Sequence, residues 1–283
     1  MQKVAFIINP FSAKKNYKSF LESLNSKVEN PLVYISKSIA ETDKFIDDYF
    51  NSVDIFIAIG GDGTLSRVAE KILNTNKILG GFPAGSGNGF SKEVDFNKNL
   101  DELLKKIENK KFEEIDTFTI NNNLSINVSG TGFDGEVVKR FENTSRGFSN
   151  YIKVSLKTFF KYKPVEINFR DINFEKYDGK YLMVNLANTR QFGNNAFISP
   201  KSDYSDGLIE LALVKKFPIY YAPIFAYNMF GGKLKENKFI KYISTAEIEF
   251  SVDTKTWHLD GEFVEINSPI KVKVNPKSLR ILV

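Results

Sequence analysis

Short apolar runs alternate with amphipathic segments along the first hundred or so residues of this chain. Residues 53–59 are apolar on both faces apart from Asp54, which is typical of a central parallel strand covered on each side. The apolar residues Phe20, Leu21 and Leu24 instead follow helical spacing. Strands and helices that alternate in this way predict β-α-β units around a parallel sheet.

The pattern changes near residue 117. Beyond it, alternating apolar residues and turns predict strands at 165–169, 181–186 and 208–214. Two helical segments, 151–162 and 219–229, interrupt these strands. We therefore expect an α/β domain followed by a mostly β domain, joined without a glycine- or serine-rich linker.

Composition excludes several kinds of site. Hydrophobic residues make up 42% and charged residues 26% of the 283 residues, as in ordinary globular proteins. The absence of cysteine rules out disulfides, thiolate metal sites and cysteine nucleophiles, and the single histidine, His258, rules out a histidine cluster. No apolar stretch approaches the roughly 20 residues that cross a bilayer. The net charge of +5 suits anionic partners such as nucleotides but is no signature of nucleic-acid binding.

A glycine-rich turn, Gly60-Gly61-Asp62-Gly63-Thr64, follows the buried strand and precedes a helical stripe that begins near Leu65. A strand that turns directly into a helix presents backbone N–H groups and the positive end of the helix dipole, which together bind phosphate. Glycines let the backbone approach that phosphate closely. Asp62 would repel the phosphate unless it binds Mg²⁺ or orients a hydroxyl, and phosphoryl transfer requires both. The alternative is a plain turn in which Asp62 or Thr64 caps the helix.

A second glycine-rich turn, Pro83-Ala84-Gly85-Ser86-Gly87-Asn88, also follows a strand and leads into polar, helical sequence. In an open α/β sheet both turns would lie at the carboxyl edge, where ligands bind. The turns match neither the P-loop pattern nor the glycine spacing of dinucleotide-binding folds. They therefore predict a phosphate site and disfavour a Rossmann dehydrogenase.

Three motifs stand in order along the first domain: Asn9-Pro10-x-Ser12, Gly60-Gly61-Asp62-Gly63-Thr64 and Pro83-x-Gly85-Ser86-Gly87-Asn88. Together they closely resemble the nucleotide-binding motifs of the diacylglycerol kinase catalytic domain family, which includes bacterial lipid kinases and sphingosine kinases. Later segments look like further motifs of that family in the right order: Gly132-Phe133-Asp134, Asn188 with Gly193, Pro200 with Asp206-Gly207, and Asp260-Gly261-Glu262. Ser86 stands where the family commonly has threonine, and Gly89 and Lys92 stand where it has aspartate and arginine.

The resemblance implies an NAD-kinase-like α/β domain followed by a β-sandwich, with the active site in the cleft between them. We accordingly expect a nucleotide-binding domain at 1–117 and a lipid-substrate domain at 118–270, with a final strand at about 271–283 returning to the first domain. The residues expected to bind ATP are those of the three motifs: Asn9, Pro10, Ser12, Gly60, Gly61, Gly63, Thr64, Pro83, Gly85, Ser86, Gly87 and Asn88.

Aspartate and glutamate are the candidates for proton transfer and metal binding in such a reaction. On an extended strand, residues 258, 260 and 262 would share one face, so that Asp260 and Glu262 point into one space. Spacing alone favours a hairpin, because Asp-Gly between alternating apolar residues is a strong turn signal. The family's matching Asp-Gly-Glu segment supplies the catalytic base, which implies Asp260 and Glu262 acting together, with Asp62 near the phosphates.

The resemblance also implies a structural Mg²⁺ in the loop that contains Asp206, with Asp203, Asp206 and Leu208 as ligands. Carboxylate and carbonyl oxygens suit such a hard cation. A plain Asp-Gly turn is the alternative, and Ser205 replaces an acidic residue found in relatives.

These inferences predict a kinase that uses ATP and Mg²⁺ to phosphorylate a lipid hydroxyl, with diacylglycerol as the acceptor. The alternatives are a sphingoid-base, ceramide or NAD kinase, or a catalytically silent homologue that binds lipid or nucleotide. We expect a cytoplasmic protein that meets its lipid at a membrane surface. The sequence does not decide whether the protein binds peripherally to the inner face of the membrane, or whether it forms a homodimer through sheet edges. The aromatic segment 217–230 is expected to form a core helix, with an acyl-chain cleft or a bilayer contact as alternatives.

Overall fold

The computed structural model describes residues 3–11, 17–85, 87–142 and 148–283. The chain divides into two compact units, Met1–Ile115 with Lys277–Val283 and Asp116–Pro276. Each unit is built around its own hydrophobic core. We refer to them as the first and the second unit.

The first unit alternates strands and helices, as the sequence predicts. Its strands are β1 (Val4–Ile8), β2 (Leu32–Ile35), β3 (Ile55–Gly60) and β4 (Ile78–Pro83). Its helices are α1 (Tyr17–Lys27), α2 (Ile39–Tyr49), α3 (Asp62–Ile72), α4 (Gly89–Glu93) and α5 (Leu100–Asn109).

A parallel sheet forms the centre of the first unit, with the strand order β2-β1-β3-β4. Every residue of β3 is buried, which explains why that strand is apolar on both faces. On the far side of β4, Arg280 and Ile281 pair in parallel with Ile78 and Leu79. The last residues of the chain therefore complete the sheet that the first residues begin.

The second unit is mostly β. Its strands are β5 (Phe112–Ile120), β6 (Asn123–Ser125), β7 (Val128–Gly132), β8 (Val165–Phe169), β9 (Gly179–Tyr181), β10 (Met183–Ala187), β11 (Ile209–Val214), β12 (Ile240–Thr245), β13 (Glu247–Val252), β14 (Thr256–Leu259), β15 (Glu262–Glu265) and β16 (Ile270–Leu282). Its helices are α6 (Phe133–Glu142), α7 (Phe148–Lys161) and α8 (Ala222–Phe230), with 3₁₀ turns at Glu175–Tyr177 and Ile219–Tyr221. The strands β5 and β16 contribute residues to both units.

Two sheets make up the second unit. One is antiparallel, with the order β12-β11-β10-β7-β14-β15. In the other, β16 is followed by β13, β8 and β9, and β5 pairs with both β16 and β6. A hairpin joins β5 to β6, and it turns at Asn121 and Asn122 with φ values of 45° and 70°. Asparagine tolerates this left-handed conformation better than most residues.

Alternating residues of the antiparallel sheet enter two different hydrophobic cores. Val184 and Leu186 belong to the core of the sandwich, together with Phe250 and Trp257. Their neighbours on β10 point to the opposite face and pack against a second cluster, which includes Phe159, Phe217 and Phe225. The helices α7 and α8 therefore lie on the outer face of this sheet, and the predicted α/β domain followed by a β-sandwich is confirmed.

The structure can be searched for a transmembrane helix only within the residues that it describes. Within the ranges given above, no helix is long and apolar enough to span a membrane.

Replacing Ile57 with alanine should destabilise the protein by about 2–5 kcal/mol, because the side chain is fully buried in the centre of β3 and its removal leaves a cavity. The matched control is Ile39→Ala at the exposed start of α2, which should change stability by less than about 0.5 kcal/mol. Urea denaturation of both variants measures the difference. Equal effects at the two positions would contradict the assignment of Ile57 to the core.

Candidate active site

The first glycine turn joins β3 to α3 without a side-chain cap. The helix begins at Asp62, and its N-cap residue, Gly61, is extended with φ −95° and ψ −176°. The N–H groups of Thr64 and Leu65 donate to the carbonyl of Gly61 at 3.0 and 3.2 Å. The capping alternative is therefore wrong, because neither Asp62 nor Thr64 is the N-cap residue. The first N–H groups of a helix have no intrahelical partner, so this end of α3 is suited to binding an anion.

Asn9 connects the end of β1 to the same turn. Its Nδ2 donates to Oγ1 of Thr64 at 3.1 Å, and its backbone N–H donates to the carbonyl of Ile59 at 2.9 Å. Pro10 follows in the turn after β1. Gly60 leaves space for the threonine, because a Cβ at Gly60 would lie 2.4 Å from that Oγ1. Two of the three sequence motifs thus meet at the carboxyl edge of the sheet.

The second glycine turn packs directly on the first. The N–H groups of Ala84 and Gly85 donate to the carbonyl of Gly60 at 2.6 and 3.2 Å. A Cβ at Gly85 would lie only 2.6 Å from Cα of Gly61, so the two backbones are in contact where both residues lack a side chain. Asn88, in the left-handed region with φ 51°, donates from Nδ2 to the carbonyl of Gly85 at 2.8 Å.

Asp62 links the two turns through its carboxylate. Oδ2 of Asp62 accepts a hydrogen bond of 2.6 Å from the backbone N–H of Gly89, at the start of α4. Gly63 lies in the first turn of α3, Pro83 ends β4, and Gly87 lies in the second glycine turn, two residues before α4 begins. The structure therefore brings the expected nucleotide-binding residues together, except for Ser12 and Ser86, which lie outside the described residues.

Asp260 and Glu262 do not share one face of a strand. The chain reverses between β14 and β15, and Leu259 pairs directly with Glu262. Asp260 and Gly261 form the two-residue turn, with φ values of 49° and 92°. Both values are positive, as in the hairpin turn that Asp-Gly favours. The strand expectation is wrong, and the hairpin alternative is confirmed.

The two carboxylates of this hairpin lie in different surroundings. Asp260 is 7% exposed, and its carboxylate accepts hydrogen bonds from Oγ of Ser125 at 2.7 Å and from the N–H groups of Ile126 and Asn127 at 3.1 and 2.9 Å. Glu262 is exposed at the start of β15. Asp260 is therefore fixed to the segment between β6 and β7, whereas Glu262 lies at the surface.

A buried ion-pair geometry joins Asp134 to the one histidine. Nε2 of His258 lies 3.1 Å from Oδ2 of Asp134, and both side chains are buried. Burial and, to a smaller extent, the Asp134 carboxylate raise the pKa of Tyr151 above its ordinary value. The sequence places His258 on a predicted strand but does not connect it with Asp134. The pair leaves no local signal in the sequence, because 124 residues separate its members.

In the loop that is expected to bind Mg²⁺, the carboxylates of Asp203 and Asp206 accept hydrogen bonds from residues two positions later in the chain and so stabilise local turns. Oδ1 of Asp203 accepts from the N–H and Oγ of Ser205 at 2.9 and 2.7 Å, and Oδ1 of Asp206 accepts from the N–H of Leu208 at 2.9 Å. Asp116 binds the same loop by accepting from the N–H of Gly207 at 2.6 Å. Among the residues that the structure describes, no three acidic or histidine side chains lie close enough to hold a metal ion. A structural Mg²⁺ at Asp203, Asp206 and Leu208 stays a prediction.

Two family models together cover most of the chain. The diacylglycerol kinase catalytic domain matches residues 3–120, and the YegS C-terminal NAD kinase beta sandwich-like domain matches residues 127–283. This chain belongs to the family of kinases that these two domains define. The family predicted from the sequence motifs is thereby confirmed.

Relatives of this kinase align with it over most of both chains. It is 23% identical to a protein of Staphylococcus carnosus named "Putative lipid kinase", over 92% of this chain and 89% of the relative. A protein of the same name from Streptococcus pneumoniae is 24% identical, over 97% and 95% of the two chains. A crystal structure described as a diacylglycerol kinase from Bacillus anthracis covers 99% of this chain and 96% of its own, with a TM-score of 0.73 and 18% identity. At that identity the structural match supports the fold alone.

The contact between the two turns predicts a difference between neighbouring glycines. Gly85→Ala should destabilise the protein by about 1–3 kcal/mol, because its Cβ would collide with backbone atoms of Gly61 that cannot rotate away. Gly87→Ala is the control, since a Cβ there meets nothing within 4 Å. Chemical denaturation of both variants measures the effect. Two variants of equal stability would show that the turns are not in backbone contact.

Proposed function

We propose that this kinase transfers the γ-phosphoryl group of ATP to a lipid hydroxyl, with diacylglycerol as the acceptor. The observation that carries the proposal is the backbone contact between the two glycine turns beside the start of α3. Kinase chemistry follows from the family, and the lipid acceptor is supported by the names of the relatives in Staphylococcus and Streptococcus.

The nucleotide phosphates are proposed to bind at the two turns. Gly60, Gly61 and Gly85 let the two turns and Thr64 pack closely together, and the positive end of the α3 dipole lies beside them. The hydrogen bond between Asn9 and Thr64 keeps the end of β1 next to the turn. Backbone N–H groups and small polar side chains are the groups that cradle phosphates in other nucleotide-binding loops.

Mg²⁺ is proposed to arrive with the nucleotide. In phosphotransferases this ion keeps several waters and binds through substrate phosphates and one or two carboxylates, so a complete protein cage is not needed. Asp62 fits that donor set, because its carboxylate lies at the junction of the two turns. The ion, when bound, would offset the charge on the transferred phosphoryl group.

Glu262 is proposed as the base, with Asp260 as its positioning partner. The hydroxyl of the acceptor loses its proton to the Glu262 carboxylate, its oxygen forms the new bond to the γ-phosphorus, and the bond to the β-γ bridging oxygen breaks to release ADP. Asp260 accepts three hydrogen bonds from the segment that precedes β7, which holds the hairpin and hence Glu262 in place. The exposure of Glu262 makes it accessible to an acceptor, unlike the buried Asp260.

Transfer of labelled phosphate from ATP with Mg²⁺ to diacylglycerol, sphingosine, ceramide, phosphatidylglycerol and NAD tests this function. We expect labelling of diacylglycerol, and a loss of about 10²–10⁴-fold in Glu262→Gln because the base is removed. Glu265→Gln is the matched control, since Glu265 is an exposed glutamate of the same strand that pairs with Lys255. Labelling of another acceptor alone would assign a different substrate. Binding of ATP without any transfer would indicate a silent homologue.

Asp260→Asn should differ from Glu262→Gln in stability as well as in activity. The amide can no longer accept all the hydrogen bonds of the buried carboxylate, so the variant should lose about 1–3 kcal/mol of stability. Glu262→Gln should keep the stability of the wild type, because the side chain is exposed. Thermal denaturation of the two variants measures this, and a destabilised Glu262→Gln would contradict the assignment of roles.

A further inference from the structure

Phe11 is an exposed aromatic residue next to the proposed nucleotide site. It follows Asn9 and Pro10 in the turn after β1, and it is 78% exposed. A single exposed apolar residue carries little information, because much of the surface of any folded protein is apolar. What surrounds Phe11 and what holds it in place therefore decide whether the residue has a function.

The side chain of Asn9 ties the backbone of Phe11 to the start of α3. Oδ1 of Asn9 accepts a hydrogen bond of 3.0 Å from the N–H of Phe11, while Nδ2 of the same amide donates to Oγ1 of Thr64 at 3.1 Å. Two residues span at most about 7 Å even when the chain is fully extended. Phe11 is therefore fixed close to the end of α3 at which the phosphates are proposed to bind.

Two further apolar residues with exposed surface lie at the same edge of the sheet. The strands β1 and β2 end side by side, because Ile8 pairs with Ile35 and the N–H of Ser36 donates to the carbonyl of Ile8 at 2.8 Å. Ile35, at the end of β2, is 38% exposed, and Ile39, at the start of α2, is 69% exposed. The carboxyl ends of β1 and β2 therefore carry an apolar edge to which Phe11 also belongs.

The opposite side of the proposed phosphate site, after β4, is different. There the second glycine turn packs on the first through the N–H groups of Ala84 and Gly85. Two aromatic residues, Phe90 and Phe96, follow that turn, and they are 0% and 7% exposed. In the described segments 84–85 and 87–96, no aromatic ring is available to a ligand. Aromatic surface next to the proposed phosphate site is therefore found on the side of β1.

We propose that the ring of Phe11 stacks on the base of the bound nucleotide. The inference rests on the proposed function, because it takes the phosphates to bind at the glycine turns. Every base has a π face that can stack on an aromatic side chain, and such a contact changes affinity by about 5- to 150-fold. Base and phosphates are then bound by separate groups, with Phe11 on the base and the turns on the phosphates. Phe11 contributes to binding and takes no part in the chemical step.

Isothermal titration calorimetry with two ligands, ATP and inorganic tripolyphosphate, each with Mg²⁺, tests the proposal. Both ligands contain three linked phosphates, and only ATP carries a base. Phe11→Ala should weaken ATP binding about 5- to 150-fold and leave tripolyphosphate binding within about twofold of the wild type. Unchanged tripolyphosphate binding shows that the turns still hold phosphate, so the loss of ATP affinity is not a loss of fold.

Three further variants separate stacking from the loss of apolar volume. Phe11→Tyr keeps an aromatic ring and should bind ATP like the wild type. Phe11→Leu keeps an apolar side chain without a π face, so it should bind ATP more weakly than Phe11→Tyr. Phe160→Ala is the matched control, because Phe160 is a phenylalanine of the second unit that is 67% exposed, and it should bind ATP like the wild type.

The outcomes distinguish this inference from the proposed function. If the wild type binds ATP and Phe11→Ala binds it equally well, the inference is overturned and the proposed function stands. Equal losses of ATP and tripolyphosphate binding in Phe11→Ala would also overturn the inference, because residue 11 would then support the turn and not the base. A wild type that binds neither ligand would overturn the proposed function and this inference with it.

Discussion

Backbone contact between two glycine turns is the constraint on which the proposed nucleotide-binding end of the first unit depends. The paired strands β3 and β4 stay in register up to Gly60 opposite Pro83, so both turns leave the sheet at the same level. The carbonyl of Gly60 then accepts two N–H groups of the second turn, and Gly61 touches Gly85. A side chain at this contact would separate the turns. The geometry of the proposed phosphate-binding surface is thus set by strand register and by the absence of side chains at Gly61 and Gly85.

Buried carboxylates serve as connectors in the second unit. Asp260 holds a hairpin to the segment between β6 and β7, and Asp134 holds the same strand, β14, through His258. Hydrogen bonds to N–H, hydroxyl or imidazole groups offset the free-energy cost of burying each carboxylate. The hairpin that bears Glu262 is therefore fixed from two sides, and Glu262 is exposed at the start of β15. A rigid support of this kind suits the role of base that is proposed for Glu262.

The sequence predicts much of this molecule because local periodicity matches tertiary packing. The strand at 53–59 and the helix around Leu24 bury the residues that their patterns indicate, and the motifs at Asn9, Gly60 and Pro83 meet as expected. Spacing alone favours a hairpin at Asp260, and the structure has that hairpin, so local turn chemistry is the stronger signal there. The pairing of Asp134 with His258 and the turns that occupy Asp203 and Asp206 depend on contacts whose geometry appears only in the folded chain.

Because of the last strand, the sheet of the first unit is completed only late in synthesis. Residues 277–283 belong to the first unit, and Arg280 and Ile281 lie beside β4 in its sheet. During synthesis these residues leave the ribosome after the whole second unit has been made, so β4 remains an open edge until then. An uncovered edge strand with such apolar neighbours invites pairing with other chains. A nascent chain of this kinase would therefore benefit from a chaperone that covers that edge while translation continues.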